Sequence, residues 1–181
     1  MKQRAIIKPF NLQKWIEENR HLLKPPIGNQ QVFIEHEDFI VMVVGGPNAR
    51  KDFHINEGEE LFYQLEGEIE VGLMVDDEKK GGKKNRESIT LKAGDIFLLP
   101  PRIPHSPQRG ANSIGLVIER RRKPGEHDGF QWYCENCGNL LQEVKIPVSD
   151  IVNELPRVMN NFFNSKELCT CKNCGTVMER P

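Results

Sequence analysis

The sequence lacks an excess of either charge and lacks any long apolar run. It has 25 Lys and Arg residues against 26 Asp and Glu residues, a net charge of -1, so no strong field would draw it to nucleic acid or to an anionic membrane. The longest wholly apolar run, Phe39–Val44, is far short of the roughly 20 residues that span a bilayer. The N-terminal residues contain no apolar stretch typical of a secretory signal. We therefore predict a cytoplasmic protein with no membrane or nucleic-acid partner.

Cysteine is absent before Cys134, so any chemistry in the first two thirds of the chain must use other side chains. Clustered thiols in a reducing compartment hold metal more often than they form disulfides. Cys134 and Cys137 form one Cys-x-x-Cys-Gly pattern, and Cys171 and Cys174 form a second. Four thiolates satisfy a closed tetrahedral site for Zn or Fe, which predicts a structural metal site. Cys169 does not fit either pattern and is predicted to be a spare thiol.

Most of the remaining chain has the pattern of short strands. Residues 11–23 carry apolar side chains at helical spacing, with Asn11 able to cap the helix. Residues 31–120 contain many short strand-like runs separated by turn residues, which is typical of a β-sandwich or barrel. A second helical pattern covers residues 149–165, with Pro156 dividing it. The predicted fold class is therefore mainly β, with a short N-terminal helix.

A change of pattern near Pro124 predicts a boundary between two units. We expect a catalytic barrel domain at 1–124 and a small metal-binding extension at 125–181. The four cations Arg120–Lys123 precede this boundary and are interpreted as solvated linker residues. The polar segment Asp76–Arg86 is interpreted as a hairpin tip in solvent.

The barrel segment contains a second candidate metal site, formed by histidines and glutamates. The candidates are His54, Glu57, Glu59, Glu60 and His105. Two imidazoles and one carboxylate are the ligand set of non-haem Fe(II) oxygenases, in which three protein ligands leave positions open for substrate and O2.

The spacing around His54 resembles the first motif of the cupin superfamily. Gly46 is followed after five residues by Asp52-x-His54, and Glu60 is followed after six residues by Gly67. Asp52 stands where the first histidine of that motif is usual. This departure removes one ligand and predicts a site with three.

The choice among the glutamates depends on the distance to Gly67 and on strand parity. In a strand, Glu60, Phe62 and Gln64 share one face, whereas Glu59 lies on the other. Glu60 is therefore the predicted carboxylate ligand.

The second cupin motif is matched by Gly94, Pro100 and His105, with Arg102 where a glycine is often found. A glycine–proline pair alone would be a weak turn signal. Because both motifs occur in the right order, we expect a cupin fold, a jelly-roll-like β-barrel.

A single cupin domain followed by two Cys-x-x-Cys-Gly pairs, a rubredoxin-like arrangement, resembles the bacterial 3-hydroxyanthranilate 3,4-dioxygenase family. The resemblance covers almost the whole chain. It is carried by LLKPPIGN (22–29), VVGGPNAR (43–50), FYQLEG (62–67), DIFLLPP (95–101), HSPQR (105–109), LVIER (116–120) and DGFQWYCENCG (128–138).

The resemblance implies roles for individual residues. The iron ligands would be His54, Glu60 and His105. The substrate carboxylate would be bound by Arg50 and Arg109, the hydroxyl proton would be accepted by Glu119, and Asn29 would be a further substrate contact. Parity agrees for Arg50, which shares a strand face with His54 and would point into the barrel. An inward-pointing arginine needs an anion, and a substrate carboxylate supplies one.

The implied reaction joins both atoms of O2 to 3-hydroxyanthranilate and opens its ring between C3 and C4. The product, 2-amino-3-carboxymuconate semialdehyde, cyclises to quinolinate, which belongs to the kynurenine pathway and NAD synthesis. The resemblance also implies Fe(II) at the catalytic site, a second Fe or Zn at the cysteines, and a homodimer.

Two other functions remain compatible with the residues alone. One is a cupin dioxygenase acting on another aromatic carboxylate, because two arginines specify a carboxylate but not an aromatic amine. The other is a non-catalytic cupin that binds a small molecule and carries a zinc ribbon. The first would consume O2 with a different compound, and the second would not react with O2.

Overall fold

The computed structural model of the protein describes residues 6–25, 28–34, 38–77, 83–147 and 151–181. Its helices are α1 (Leu12–Asn19), α2 (Ile151–Phe163) and α3 (Lys166–Cys169), and a 3₁₀ turn covers Arg20–Leu22. Its strands are β1 (Asn29–Gln31), β2 (Phe39–Gly45), β3 (Asp52–Ile55), β4 (Glu60–Glu66), β5 (Glu68–Asp77), β6 (Lys83–Lys92), β7 (Ile96–Leu99), β8 (His105–Arg109), β9 (Ile114–Arg120), β10 (Asp128–Tyr133) and β11 (Leu140–Ile146).

The strands form two antiparallel sheets with the order β1-β2-β9-β4-β7 in one and β11-β10-β3-β8-β5-β6 in the other. The main apolar core lies between them, because it combines side chains of β2, β4 and β9 with side chains of β5 and β6. The predicted mainly β class is confirmed. Strands β3 and β8 belong to one sheet and β4 and β9 to the other, so both sheets supply residues to the predicted site.

Helix α1 packs on the five-stranded sheet through Ile16, which is fully buried in a cluster with Leu23, Val43 and Ile114. The side chain of Asn11 caps the helix by accepting a hydrogen bond from the Lys14 amide at 2.9 Å. The regular helix is shorter than the predicted range, because a 3₁₀ turn follows it.

The C-terminal region shares a sheet with the barrel. Strand β10 lies beyond the predicted boundary at Pro124, and it pairs with β3, with Phe130 opposite His54. Helix α2 then packs against β10, where the rings of Trp132 and Phe162 stack with their centroids 4.3 Å apart. The division into 1–124 and 125–181 stays a prediction.

Pro156 lies inside α2 and does not divide it. The loss of one backbone donor is outweighed by packing, since Val158 and Phe162 are buried on the same helix. Strands β5 and β6 form the predicted hairpin, but their pairing continues to Asp77 and Lys83. Residues 76–77 and 83–86 of the predicted tip are therefore strand, and residues 78–82 lie outside the described part of the chain.

Candidate active site and cysteine centre

A cavity of about 770 Å³ opens into the barrel between the two sheets. Its walls include all of the residues to which sequence analysis gave a role in the barrel: Asn29, Arg50, His54, Glu60, His105, Arg109 and Glu119. Apolar side chains such as Met42, Phe62 and Val117 complete the inner wall. Such a mixture of apolar walls and few convergent polar groups is typical of a small-molecule site.

Three side chains in this cavity are arranged to hold a metal ion. His54, Glu60 and His105 are all buried, and each offers one ligand atom within 4.8 Å of the others. Two neutral nitrogen donors and one carboxylate match the facial ligand set of non-haem Fe(II). The residues present therefore fit that ion.

His105 is oriented by its own backbone neighbourhood. Its Nδ1 atom lies 3.0 Å from the carbonyl oxygen of Ile103, which can only accept, so Nδ1 carries the proton. Nε2 is left on the side of Glu60, 3.1 Å from Oε2. A metal ion bound by Nε2 would replace the proton that lies between these two groups. Burial opposes both shifts, but the contact between the two side chains raises the pKa of His105 and lowers that of Glu60 to about 2. Glu60 is therefore an anion, as a metal ligand must be.

His54 is held by a carboxylate from a different strand. Its Nε2 atom lies 2.6 Å from Oδ2 of Asp128, which is fully buried. The Phe130 ring stacks on the imidazole with centroids 5.2 Å apart. Burial lowers the pKa of His54, which favours the neutral imidazole that binds metals. With Nε2–H donated to Asp128, Nδ1 remains available to bind a metal.

Glu60 points into the cavity because alternate residues of β4 face the core. Glu60, Phe62 and Gln64 are buried, whereas Tyr63 on the opposite face is exposed. Glu59 is also exposed and lies outside the strand. The parity argument therefore selects the residue that the structure brings to the two histidines.

Arg109 is a buried cation with spare donor capacity. Only 4% of its surface is exposed, and its Nη1 atom has no hydrogen-bond partner among the described residues. Burial lowers the pKa of Arg109 to about 10, so it remains charged at neutral pH. A buried guanidinium with an unpaired nitrogen that lines a cavity is suited to an anionic ligand.

Arg50 also lines the cavity, and it is already paired. Its Nε atom lies 3.1 Å from Oδ1 of Asp52, and its Nη2 atom contacts Oδ2 of the same residue. Asp52 thus occupies the position of the missing motif histidine and binds Arg50. Its carboxylate is buried, which fixes the arginine side chain at the cavity wall.

Glu119 lies directly opposite Glu60 across the β4–β9 pair. Its Oε2 atom accepts a hydrogen bond from Asn56 at 3.2 Å, and its Oε1 atom lies 2.9 Å from Nη1 of Arg122. Burial, followed by the charge of Glu60, raises the pKa of Glu119 to about 7. A carboxyl group with such a pKa can accept and release a proton near neutrality.

Sequence analysis missed several residues that support the site. Arg122 was interpreted as a solvated linker cation, which is wrong: only 11% of its side chain is exposed, and it contacts Glu119 and Asp128. The physical reason is that two buried carboxylates require a cation. Asp128 shares strand parity with Phe130 and Trp132, a signal that could have placed it on the core face. Asp52 was noted only as a missing ligand.

The four cysteines of the two Cys-x-x-Cys-Gly patterns come together in a second cluster. The Sγ atoms of Cys134 and Cys174 lie 3.6 Å apart, and those of Cys137 and Cys171 lie 3.5 Å apart. Tetrahedral coordination with metal–sulfur bonds of about 2.3 Å requires sulfur separations of about 3.8 Å. The cluster therefore fits one tetrahedral ion.

The glycine of each pattern closes a tight turn. Gly138 and Gly175 have φ of 72° and 76°, values that glycine adopts without strain, and each donates its amide to the first cysteine of its pattern. Cys169 lies outside the cluster and donates its thiol to the Phe162 carbonyl at 3.4 Å.

The chain is similar to several known proteins. The family model described as "3-hydroxyanthranilic acid dioxygenase" matches residues 5–163. The chain is 52% identical to a 3-hydroxyanthranilate 3,4-dioxygenase of Xanthomonas euvesicatoria pv. vesicatoria, over 97% of this chain and 95% of that protein. It is also 52% identical to the protein of that name from Paraburkholderia phytofirmans, over 94% of each chain. A cupin-2 domain containing protein from Shewanella frigidimarina matches 61% of this chain and 100% of its own, with a TM-score of 0.45 and 18% identity.

Proposed function

The chain belongs to the 3-hydroxyanthranilic acid dioxygenase family, and we propose that its barrel cavity is where it binds 3-hydroxyanthranilate and cleaves the ring. The family reaction adds both atoms of O2 to the substrate and breaks the bond between C3 and C4. The product, 2-amino-3-carboxymuconate semialdehyde, cyclises to quinolinate, a precursor of NAD. The observation that supports this location best is the buried group of His54, Glu60 and His105.

The proposed metal is Fe(II), held by His54 Nδ1, a Glu60 carboxylate oxygen and His105 Nε2. When bound there, Fe(II) would supply open coordination positions and the electron transfer that O2 activation requires. Asp128 and the Ile103 carbonyl keep the two imidazoles in the tautomers that this coordination needs.

The substrate carboxylate is assigned to Arg109 and Arg50. Arg109 lines the cavity, and its buried Nη1 atom has no hydrogen-bond partner among the described residues, so an anion bound beside the guanidinium would stabilise its charge. Arg50 keeps its contact with Asp52 and places a second guanidinium in the lining of the same cavity. Two planar guanidinium groups fix the orientation of the ring as well as its position.

Glu119 is assigned as the base that accepts the proton of the substrate hydroxyl. A phenol has a pKa near 10, so it needs a base at neutral pH. Glu119 is fixed on both of its oxygens and lies next to Glu60 on the neighbouring strand. A hydroxyl brought to the metal side of the cavity therefore meets the carboxylate that takes its proton. Asn29, on the edge strand β1, is assigned as a further polar contact to the substrate.

The C-terminal region contributes an apolar wall to the same cavity. Leu155, Met159 and Phe163 of α2 line it. These side chains exclude water from one side of the site, which strengthens the electrostatic contacts inside. The cysteine centre is assigned a structural Fe or Zn, because four thiolates leave no position open for substrate.

A homodimer is the assembly that we propose for the protein. The outer face of β4 and β7 exposes Tyr63, Ile96 and Leu98, with Ile96 68% exposed, and Tyr63 is the cross-strand partner of Ile96. Apolar patches of this kind are typical of protein interfaces. Sedimentation of wild type and Leu98→Glu tests the proposal: we expect a dimer that dissociates in the variant, and a monomeric wild type would contradict it.

The proposed location is the cytoplasm, because a reducing compartment keeps the cysteines available as metal ligands. In the part of the chain that the structure describes, no helix has the length and apolar character needed to cross a membrane.

The proposed site is tested by O2 uptake. Metal-free protein is reloaded anaerobically with Fe(II) and given 3-hydroxyanthranilate in air, with anthranilate, which lacks the hydroxyl group, as the control substrate. We expect uptake of one O2 per substrate and formation of a product that converts to quinolinate.

His54→Ala is the control protein, because it removes one of only three ligands. It should fail to retain iron in the barrel and should not turn over. Full activity in His54→Ala would place the reaction elsewhere.

A further inference from the structure

Arg122 lies between the proposed base and a proposed metal ligand. Its Nη1 atom is 2.9 Å from Oε1 of Glu119. Its Nε and Nη2 atoms donate to the two oxygens of Asp128 at 2.7 and 2.5 Å, and Asp128 in turn binds His54 at 2.6 Å. One guanidinium therefore connects Glu119 to His54 through Asp128.

The side chains of this network are largely shielded from water. The exposed fractions are 3% for Glu119, 0% for Asp128 and 11% for Arg122. Arg121 and Lys123, the neighbours of Arg122 in the sequence, are exposed. Of the three, only Arg122 is turned inward, where it compensates two carboxylates whose burial would otherwise be costly.

The shape of the guanidinium matters as much as its charge. Two of its nitrogens bind the two oxygens of Asp128, and the third nitrogen reaches Glu119. A lysine ammonium cannot make these three contacts at the same fixed angles. Asn56 binds the other oxygen of Glu119, so rotation of that carboxylate is restricted from both sides. In the described part of the chain, the cavity walls include Glu119 and His54 but not Arg122.

We propose that Arg122 is a positioning residue that holds the Glu119 carboxylate and the His54 ring in a fixed relative arrangement. The inference rests on the proposed function, in which Glu119 accepts the substrate proton and His54 holds the metal. A misplacement of about 1 Å in such an arrangement can cost roughly 100-fold in rate. Arg122 thus contributes to catalysis through two other residues without contacting the substrate.

The test compares Arg122→Lys with Arg20→Lys. Arg20 is a matched control, because its Nη1 and Nη2 atoms also donate to the two oxygens of one carboxylate, that of Glu66, at 2.8 Å, but its side chain is 43% exposed on the outside of the protein. For Arg122→Lys we expect kcat to fall roughly 10- to 100-fold, with KM for 3-hydroxyanthranilate within about 3-fold because Arg50 and Arg109 remain in place. Arg20→Lys should match wild type in both.

Metal affinity is the second readout, and it does not depend on turnover. Fe(II) binding is measured by anaerobic equilibrium dialysis. The amount bound by His54→Ala is subtracted, because it represents Fe(II) bound at the cysteine centre. Arg122→Lys should bind Fe(II) in the barrel roughly 10-fold more weakly, and Asp128→Asn roughly 10- to 100-fold more weakly. If Arg122 acts on His54 through Asp128, the double variant should bind Fe(II) no more weakly than Asp128→Asn alone.

The proposal is overturned if Arg122→Lys keeps the kcat and Fe(II) affinity of wild type per folded protein. It is also overturned if KM rises while kcat is unchanged, or if the losses in Fe(II) affinity simply add in the double variant. A wild-type protein that binds Fe(II) but consumes no O2 would reject the proposed function instead. The comparison of Fe(II) affinities would then still decide whether Arg122 positions His54.

Discussion

Gly115 of β9 lies directly against the guanidinium of Arg109. A Cβ atom at Gly115 would be 2.9 Å from Arg109 Nη1 and 2.9 Å from Gln64 Oε1. Both distances are too short for carbon beside nitrogen or oxygen, so both side chains would have to move. The absence of a side chain at position 115 therefore leaves the space in which Arg109 reaches the cavity.

Gly115→Ala should weaken substrate binding while leaving the fold intact. The atoms that the new methyl group meets are the ends of long side chains, which can shift at small cost to the fold but move the guanidinium away from the carboxylate. We expect KM to rise roughly 10-fold, equivalent to about 1.4 kcal/mol, with a smaller change in kcat. Gly110→Ala is the matched control, because a Cβ there meets nothing within 4 Å. An unchanged KM in Gly115→Ala would show that Arg109 does not need this space.

Arg109→Met should test directly whether Arg109 binds the substrate carboxylate. Nη1 of Arg109 has no hydrogen-bond partner among the described residues. Replacing the side chain therefore does not deprive another described residue of a hydrogen bond to that nitrogen. Loss of a charge-assisted contact should raise KM for 3-hydroxyanthranilate by roughly 30- to 1,000-fold, or about 2 to 4 kcal/mol.

The substrate analogue 2-aminophenol, which lacks the carboxylate, separates this contact from other effects of Arg109→Met. Wild type and variant should use it with nearly the same kcat/KM. An equal loss for both compounds would mean that Arg109 supports the cavity and does not bind the carboxylate.

Glu119→Gln should lower kcat roughly 100- to 10,000-fold, because the amide cannot accept the proton of the substrate hydroxyl. The pKa of Glu119, raised to about 7 by burial and by the charge of Glu60, also predicts a pH dependence. The base works only when ionised, so the rate should fall as the pH falls through that pKa. A bound divalent cation lowers the pKa of a nearby carboxyl group, so the acid limb in the loaded enzyme should lie at or below about 7.

The pH profile of the residual activity distinguishes Glu119 from other groups. In Glu119→Gln the acid limb assigned to this residue should disappear over the range in which the protein stays loaded with iron. A limb of the same shape in wild type and variant would assign it to a different group.

The grouping of His54, Glu60 and His105 could be predicted because their spacing is local to single strands and turns. His54 and Glu60 lie within one motif, and alternation along β4 distinguishes Glu60 from Glu59. The two imidazoles then meet because β3 and β8 pair with His54 opposite His105. Spacing along the chain was therefore enough to select the three side chains that the structure brings together.

The residues that orient the site could not be predicted in the same way. Asp128 is 74 positions from His54, and the two meet only because β10 pairs with β3 beyond the predicted domain boundary. Arg122 lies in a run of cations that composition alone makes look solvated, and its burial depends on two carboxylates from separate strands. Such contacts depend on long-range pairing, which neither periodicity nor motif spacing encodes.

Cys137→Ser should destabilise the C-terminal region more than it affects the chemistry. The cysteine centre holds together the turns that follow β10 and α3, and α2, which lines the cavity, packs on the same apolar cluster as Cys169. Loss of one thiolate should release the bound metal and lower the thermal unfolding midpoint by at least about 5 °C. KM should rise moderately, because the wall formed by α2 loosens, while kcat of the folded, iron-loaded protein should stay within about 3-fold.

Cys169→Ser is the matched control: its hydroxyl can still donate to the Phe162 carbonyl, so metal content should equal that of wild type. A folded Cys137→Ser protein with iron in the barrel but no turnover would show that the cysteine centre takes part in the reaction.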